Sequence, residues 1–389
     1  MITPQVQNEI NQLVQQGLAD LNQNRPAKAR DAFNAVLEKG GANASLWLAM
    51  AYAQRDLKET KAMMEAVDKS IALERHNPRG FILKAEHYIA IGDKRAAAAF
   101  YSFAVKSTPP PEHTPDDLKE MLKQAQEKHK ALTLEFQNYL EGEIAKNING
   151  EDEDTSRITK SLDLLTGKKK LYEQKPHQYY FPDLPNIEFS DAEDFSWVPQ
   201  LESETDVIRQ ELEGVLGQRT SFDPYVTSSS DRPHTDQHGM VNDKNWGAFY
   251  LWKNGALVEE NAALCPKTVE IMKKIPLLFC GQRSPNVLFS ILQPGAKIPP
   301  HTGMVNTRLI CHLPIIIPEN CGFRVGNDVR KWVEGKVWLF DDTILHEAWN
   351  NSDKIRTILL FEVWKPELSE TERKLVTNIF EAIDSYGPA

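Results

Sequence analysis

Two histidines stand where short apolar runs break into polar segments. His301 lies in Pro299-Pro-His-Thr-Gly303, and His346 lies 45 residues later, in Phe340-Asp-Asp-Thr-Ile-Leu-His-Glu-Ala-Trp349. Two imidazoles on one face, with coordination positions left open, suit an iron(II) centre that activates oxygen. A pair of histidines at this distance is equally compatible with structural hydrogen bonding, so the neighbours must decide. Arg356 follows His346 by ten residues in an apolar run, where an inward guanidinium is costly unless it meets an anion. Its planar fork suits a carboxylate, such as the distal carboxylate of 2-oxoglutarate. Ser290, in the apolar run before His301, is another donor. Arg308 and His312, at even spacing in the run after His301, share one face of a strand.

Such residues need strands to aim them. From Tyr179 onward, prolines and aromatics rise, and helical periodicity gives way to apolar runs at 247–252, 286–292, 307–317, 336–340 and 357–364. Short runs rich in Val, Ile, Leu and aromatics, bounded by Gly, Pro, Asn or Asp, predict strands of a sandwich or barrel, with a jelly roll the natural architecture. His301 and His346 then fall in turns directly after strands. Helices are predicted over 202–216, 266–274 and 369–383. A rival motif, His234-Thr-Asp236 with His238 after it, has the H-x-D form of commoner iron oxygenases. The loop-like Ser229-Ser-Ser-Asp-Arg-Pro before it offers no strand to orient the pair, so a solvated loop is the reading there.

The run Ser290…Pro299-Pro-His-Thr-Gly303…Arg308…His312-Leu resembles the aspartyl/asparaginyl β-hydroxylase family. So does Trp332-x-x-Gly-Lys-Val-x-x-Phe-Asp-Asp342…His346-Glu-x-Trp349…Arg356…Val-Trp-x-Pro-Glu-Leu368. The resemblance spans about Tyr179 to Leu368 and implies a double-stranded β-helix (jelly-roll) dioxygenase domain dependent on Fe(II), 2-oxoglutarate and O2. It implies His301 and His346 as iron ligands, with Ser290 and Arg356 on the 2-oxoglutarate tail and His312 lining the same pocket. By the same resemblance Asp342 holds a metal-bound water and Arg308 faces the substrate. Gly303 stands two residues after His301, where the commoner facial triad has a carboxylate, and in the resembled family water fills that gap. One departure concerns substrate: animal members carry a second arginine where Ile310 stands here, so this pocket is less cationic. The implied reaction is hydroxylation of an unactivated C–H, first of all the β-carbon of Asp or Asn in a protein or peptide. A small metabolite or acyl chain is the alternative substrate, and a non-catalytic adaptor with a vestigial barrel is the alternative class.

The N-terminal third repeats every 34 residues: Leu13, Trp47, Phe81; Gly17, Ala51, Ala85; Ala29, Met63, Ala97; Phe33, Val67, Tyr101. Small residues let paired helices approach and aromatics fill the gaps between hairpins, the pattern of a tetratricopeptide-type α-solenoid. Its concave groove would bind a peptide or partner subunit, or the array merely scaffolds. The expected organisation is three repeats over 4–110, a capping helix over 111–150, a linker over 151–175, the hydroxylase domain over 176–368 and a C-terminal helix over 369–389. The 389 residues carry a net charge of −10, which argues against nucleic acid or an anionic membrane as the main partner. No apolar stretch is long enough to span a bilayer and no signal peptide is evident at Met1–Arg30. Four cysteines without C-x-x-C spacing fit a reduced, cytoplasmic protein.

Overall fold

Helix starts carry the repeat into three dimensions. α1 (Pro4–Asn22), α2 (Pro26–Glu38), α3 (Ala44–Asp56), α4 (Thr60–Leu73), α5 (Pro78–Ala90) and α6 (Lys94–Lys106) pack as successive hairpins, and α2, α4 and α6 each begin 34 residues after the one before. Local chemistry fixes these starts. Pro4, Pro26 and Pro78 open helices where the missing N–H costs nothing, and the Asn43, Asn77 and Asp93 side chains cap the first turns of α3, α5 and α6. Ala29, Ala51, Ala85 and Ala97 are fully buried between helices. Gly17 has no room for more, since a Cβ there would lie 2.3 Å from the Phe33 ring. Ser70, a polar residue at an apolar repeat position, is satisfied by donating to the Ala44 carbonyl at 2.8 Å. α7 (Asp116–Ala145) comes next along the chain.

The structure, a computed structural model, describes residues 3–110, 112, 114–146, 155–218, 222–228 and 239–386. It divides into two units, Met1–Lys168 and Lys169–Ala389. The stretch expected to be a linker, or a loose helix, is helical in part. Ser156–Leu165 is a helix, α8, which buries Leu162 and brings Asp163 to Gln137 of α7. Ten residues are too few for periodicity alone to reveal a helix that is held by packing. Glu151–Asp154 lie outside the described residues, as do His234, Asp236 and His238 of the rival motif.

The second unit contains α9 (Val198–Ser203), α10 (Thr205–Gln218), α11 (Glu259–Ala262), α12 (Pro266–Met272) and α13 (Glu370–Ser385). The helix expected over 202–216 is thus two, broken at Glu204. An eight-stranded antiparallel sheet runs β1 (Phe189–Ser190), β10 (Trp338–Phe340), β7 (Arg308–Ile316), β12 (Arg356–Trp364), β5 (Val287–Leu292), β3 (Trp246–Lys253), β2 (Asp223–Pro224), with β4 (Ala256–Leu257) beside β3. A four-stranded antiparallel sheet runs β6 (Lys297–His301), β11 (His346–Asn350), β8 (Cys321–Val325), β9 (Asp328–Arg330).

Strand alternation sorts the large sheet into two faces. Phe249, Phe289, Leu309, Cys311, Leu339, Leu359 and Phe361 pack with Leu201, Ile208, Leu212 and Val269 of α9, α10 and α12. The even-numbered partners face the other way. Trp246, Leu288, Ile310, Phe340, Ile358 and Leu360 form a second core with Phe323, Val325 and Ala348 of the small sheet.

The small sheet was not foreseen from the sequence, and this corrects the setting of both histidines. His301 is the last residue of β6 and His346 the first of β11, rather than residues in turns, and the two are register partners across the antiparallel pair. β6 contains two prolines, which read as a turn but are tolerated here because β6 is an edge strand.

Gly17→Ala is expected to destabilise the helical unit by about 1–3 kcal/mol through overpacking against Phe33. Gly142→Ala in α7, where a Cβ meets nothing within 4 Å, is expected to stabilise it by roughly 0.5–1 kcal/mol. Denaturant unfolding of the two variants reads both signs.

Candidate active site

Every site residue that the family resemblance implied lines one cavity between the two sheets: Ser290, His301, Arg308, His312, Asp342, His346 and Arg356. β6 and β11 bring the His301 and His346 rings to 4.1 Å between centroids, at 52°. Each ring is fixed by its own backbone: His301 Nδ1 lies 2.8 Å from the Pro299 carbonyl and His346 Nδ1 3.0 Å from that of Ile344. A carbonyl can only accept, so Nδ1–H is the donor in both rings. The Nε2 atoms then carry the lone pairs, the tautomer that a metal requires. Burial lowers the pKa of His346 to about 4, which keeps that ring neutral. Among the described residues, no group of three His, Cys, Asp or Glu side chains is arranged to hold a metal ion.

Asp342 comes from the loop between β10 and β11. Its Oδ2 accepts from Arg308 Nη2 at 2.9 Å, while Oδ1 is buried without a protein partner. The carboxylate occupies the space that a side chain at residue 303 would fill, since a Cβ on Gly303 would lie 2.1 Å from Oδ2. The backbone ties the same two residues together, Gly303 N–H donating to the Asp342 carbonyl at 2.6 Å. Glycine at 303 therefore does more than omit a ligand; it makes room for a carboxylate from elsewhere in the chain. Burial raises the Asp342 pKa, and the Arg308 guanidinium opposes that shift.

Arg308 does not face the cavity as a free cation. Its second arm, Nη1, pairs with Glu362 of β12, which is buried and held in turn by Ser284 and Asn286. Burial works against the Arg308 charge, yet the two carboxylates outweigh it and its pKa moves up.

Arg356 is the opposite case. It is 1% exposed, lies 4.8 Å over the Trp332 ring, and leaves Nε and Nη1 buried without partners. Desolvation pulls its pKa down to about 10. Beside it His312 has an unpartnered Nδ1 and a pKa pushed well down, by burial first and by Arg356 second. Ser290 Oγ accepts from Trp246 Nε1 at 3.1 Å, which leaves its own O–H to donate. A buried guanidinium, an imidazole and a hydroxyl with donors unused together form a receptor for a carboxylate.

Glu362, Trp246 and Trp332 were missed in the sequence. Glu362 gave a signal: a carboxylate six residues after Arg356 in an apolar strand must share its face and find a cation. Trp332 lies outside the strands, and nothing local aims it.

Gly303→Ala should push the Asp342 carboxylate off Arg308, at a cost of about 1–3 kcal/mol. In an Asp342→Ala background the same change should cost less than about 0.5 kcal/mol, because the obstacle is gone. Denaturant unfolding of the four chains gives the coupling, and additive costs would place the Asp342 carboxylate elsewhere.

Residues 202–366 match the model of the aspartyl/asparaginyl beta-hydroxylase family. An ornithine lipid ester-linked acyl 2-hydroxylase of Rhizobium tropici is 35% identical over 189 residues, 48% of this chain and 63% of that protein. Human aspartyl/asparaginyl beta-hydroxylase is 39% identical over 131 residues, 33% of this chain and 17% of that protein. Aspartate beta-hydroxylase domain-containing protein 2 of Xenopus tropicalis is 30% identical over 212 residues, 53% of this chain and 55% of that protein. The chain thus spans less than two thirds of each of these relatives. Among solved structures, the Sgt2 TPR domain of Aspergillus fumigatus is similar at 16% identity and a TM-score of 0.27, covering 33% of this chain and 81% of that one. Over residues 202–366, this chain is thus similar to the aspartyl/asparaginyl beta-hydroxylase family.

Proposed function

We propose that the second unit is an Fe(II)- and 2-oxoglutarate-dependent dioxygenase that hydroxylates an unactivated C–H bond, its two sheets forming a double-stranded β-helix. The observation that carries this reading is Arg356, an almost fully buried guanidinium with unused donors, in the same cavity as two histidines whose Nδ1 atoms are tied to backbone carbonyls. An unpaired buried charge is destabilising, and its retention makes sense if an anion completes it.

His301 and His346 would hold the iron, and Arg356 with Ser290 and His312 would hold the distal carboxylate of 2-oxoglutarate. When bound, iron, 2-oxoglutarate and oxygen supply the oxidising power that turns C–H into C–OH, with 2-oxoglutarate leaving as succinate and carbon dioxide. The chain's own residues do the rest. Backbone carbonyls fix the imidazole planes, and Trp332 supports the Arg356 fork from beneath. Asp342 Oδ1 offers an acceptor to a water beside the histidines. Ile298, Phe323, Phe340 and Leu360 keep the cavity apolar and limit stray water.

The same chemistry serves the β-carbon of Asp or Asn in a peptide, the substrate that the family resemblance implies. It serves equally an acyl chain, the substrate in the name of the Rhizobium tropici relative. Conversion of 2-oxoglutarate to succinate by the purified chain, dependent on Fe(II) and oxygen, tests the reading; no succinate under any condition would sink it.

Arg356→Met should separate binding from folding. Removing an unpaired buried charge should stabilise the ligand-free chain by about 1–4 kcal/mol. Loss of the buried charge pair with 2-oxoglutarate should weaken co-substrate binding by roughly 2–5 kcal/mol. Thermal unfolding and a 2-oxoglutarate titration of the same preparation check the two signs, and unchanged co-substrate affinity would place the anion elsewhere.

A further inference from the structure

The cavity has two guanidinium groups among its described lining residues, Arg308 and Arg356. Arg356 holds the co-substrate in the hydroxylase reading, and the substrate class inferred from Arg308 rests on that reading. Among the described lining residues, Arg308 is the guanidinium left for a substrate, and both its terminal nitrogens are already engaged. Nη2 is bound to Asp342 Oδ2 at 2.9 Å and Nη1 to Glu362 Oε2, so one positive charge sits between two carboxylates. Glu362 cannot swing aside to release it. It is 1% exposed, and its Oε1 accepts from Ser284 Oγ at 2.9 Å, Asn286 N at 2.9 Å and Asn286 Nδ2 at 2.7 Å.

A third carboxylate entering this cavity would meet a cluster with net charge of −1 in a medium where charges are poorly screened. The lining also includes Val226, Ile310, Ile358 and Leu360, which offer an amide no hydrogen bonds in exchange for its water, and its hydroxyl-bearing residues, Tyr225, Ser290 and Thr302, carry no charge to balance an anion. We infer that Glu362 sets the substrate class: by holding Arg308 to Asp342 it closes the cavity to anionic side chains, and the hydroxylated C–H belongs to an uncharged aliphatic segment of the acyl type. Glu362 is a positioning residue, acting on substrate through Arg308.

The test uses the full chain with Fe(II) and 2-oxoglutarate, first without oxygen, titrated with octanamide and with N-acetyl-aspartate amide. Octanamide is expected to bind at least about tenfold more tightly. On admitting oxygen it should gain one oxygen atom by mass as succinate forms. Glu362→Gln keeps an Oε1 to accept from Ser284 and Asn286 but presents an amide to Arg308. That variant should narrow the preference by at least about fivefold, with the aspartyl probe gaining. Loosened packing alone would weaken both probes and leave their ratio where it was. Equal or tighter binding of the aspartyl probe by the unmodified chain, binding of neither probe, or an unchanged ratio in Glu362→Gln overturns the inference. Succinate formed alongside a contrary ratio overturns the substrate inference alone, whereas no succinate in any arm removes the hydroxylase reading beneath it.

Discussion

Arg308 stands between Asp342 and Glu362, and most of the site depends on the requirement that this partly buried charge be balanced. A single guanidinium joins three separate parts of the chain: β7, the loop after β10, and β12. Each carboxylate must be held where it is, because breaking one pair would leave an uncompensated charge in a low-dielectric interior. Glu362 is held by Ser284 and Asn286. Asp342 is held by its neighbour, since Asp341 accepts from Lys365 Nζ at 2.5 Å, from Thr343 N–H and from Gln174, which pins the loop. Asp342 also needs the empty space at Gly303, and so the charge balance reaches back to the residue two positions beyond His301.

The two arginines of the cavity show how one side chain acquires opposite roles. Arg308, between two carboxylates, has its pKa raised; Arg356, with an aromatic ring as its neighbour, is pulled down to about 10. The first has both terminal nitrogens paired with carboxylates and only Nε left over, whereas the second leaves Nε and Nη1 unused. Stability favours the first arrangement, and the second makes sense where a ligand supplies the missing charge. The cavity thus holds one cation set between two carboxylates and one set against an aromatic ring, about the same histidine pair.

The two sheets divide the labour. The large sheet contributes the charged and hydrogen-bonding side chains Ser290, Arg308, His312 and Arg356 from its even-numbered face, and rests its other face on α9, α10 and α12. The small sheet contributes the imidazoles. Because His301 and His346 are register partners on adjacent strands, their separation is fixed by the strand spacing and the β6–β11 register.

By itself, the sequence determined the helical repeat, since a 34-residue period in small and aromatic positions is a packing rule written locally. It also determined β3, β5, β7, β10 and β12 of the large sheet, whose apolar runs are continuous, though not the two-residue strands β1, β2 and β4, and it gave the residue types of the site. It pointed to Arg356 because an arginine in an apolar run must answer to something. The small sheet was invisible: Lys297-Ile-Pro-Pro-His301 and His346-Glu-Ala-Trp-Asn350 have weak strand character and are strands because they pair with each other. The engagement of Arg308 was equally beyond the sequence. Asp342 and Glu362 lie 34 and 54 residues from it, and only the closing of β7 against β12, with the loop after β10 folded over them, brings two carboxylates to one guanidinium. Local patterning decides which face a side chain takes, and tertiary structure decides which charges meet once it is there.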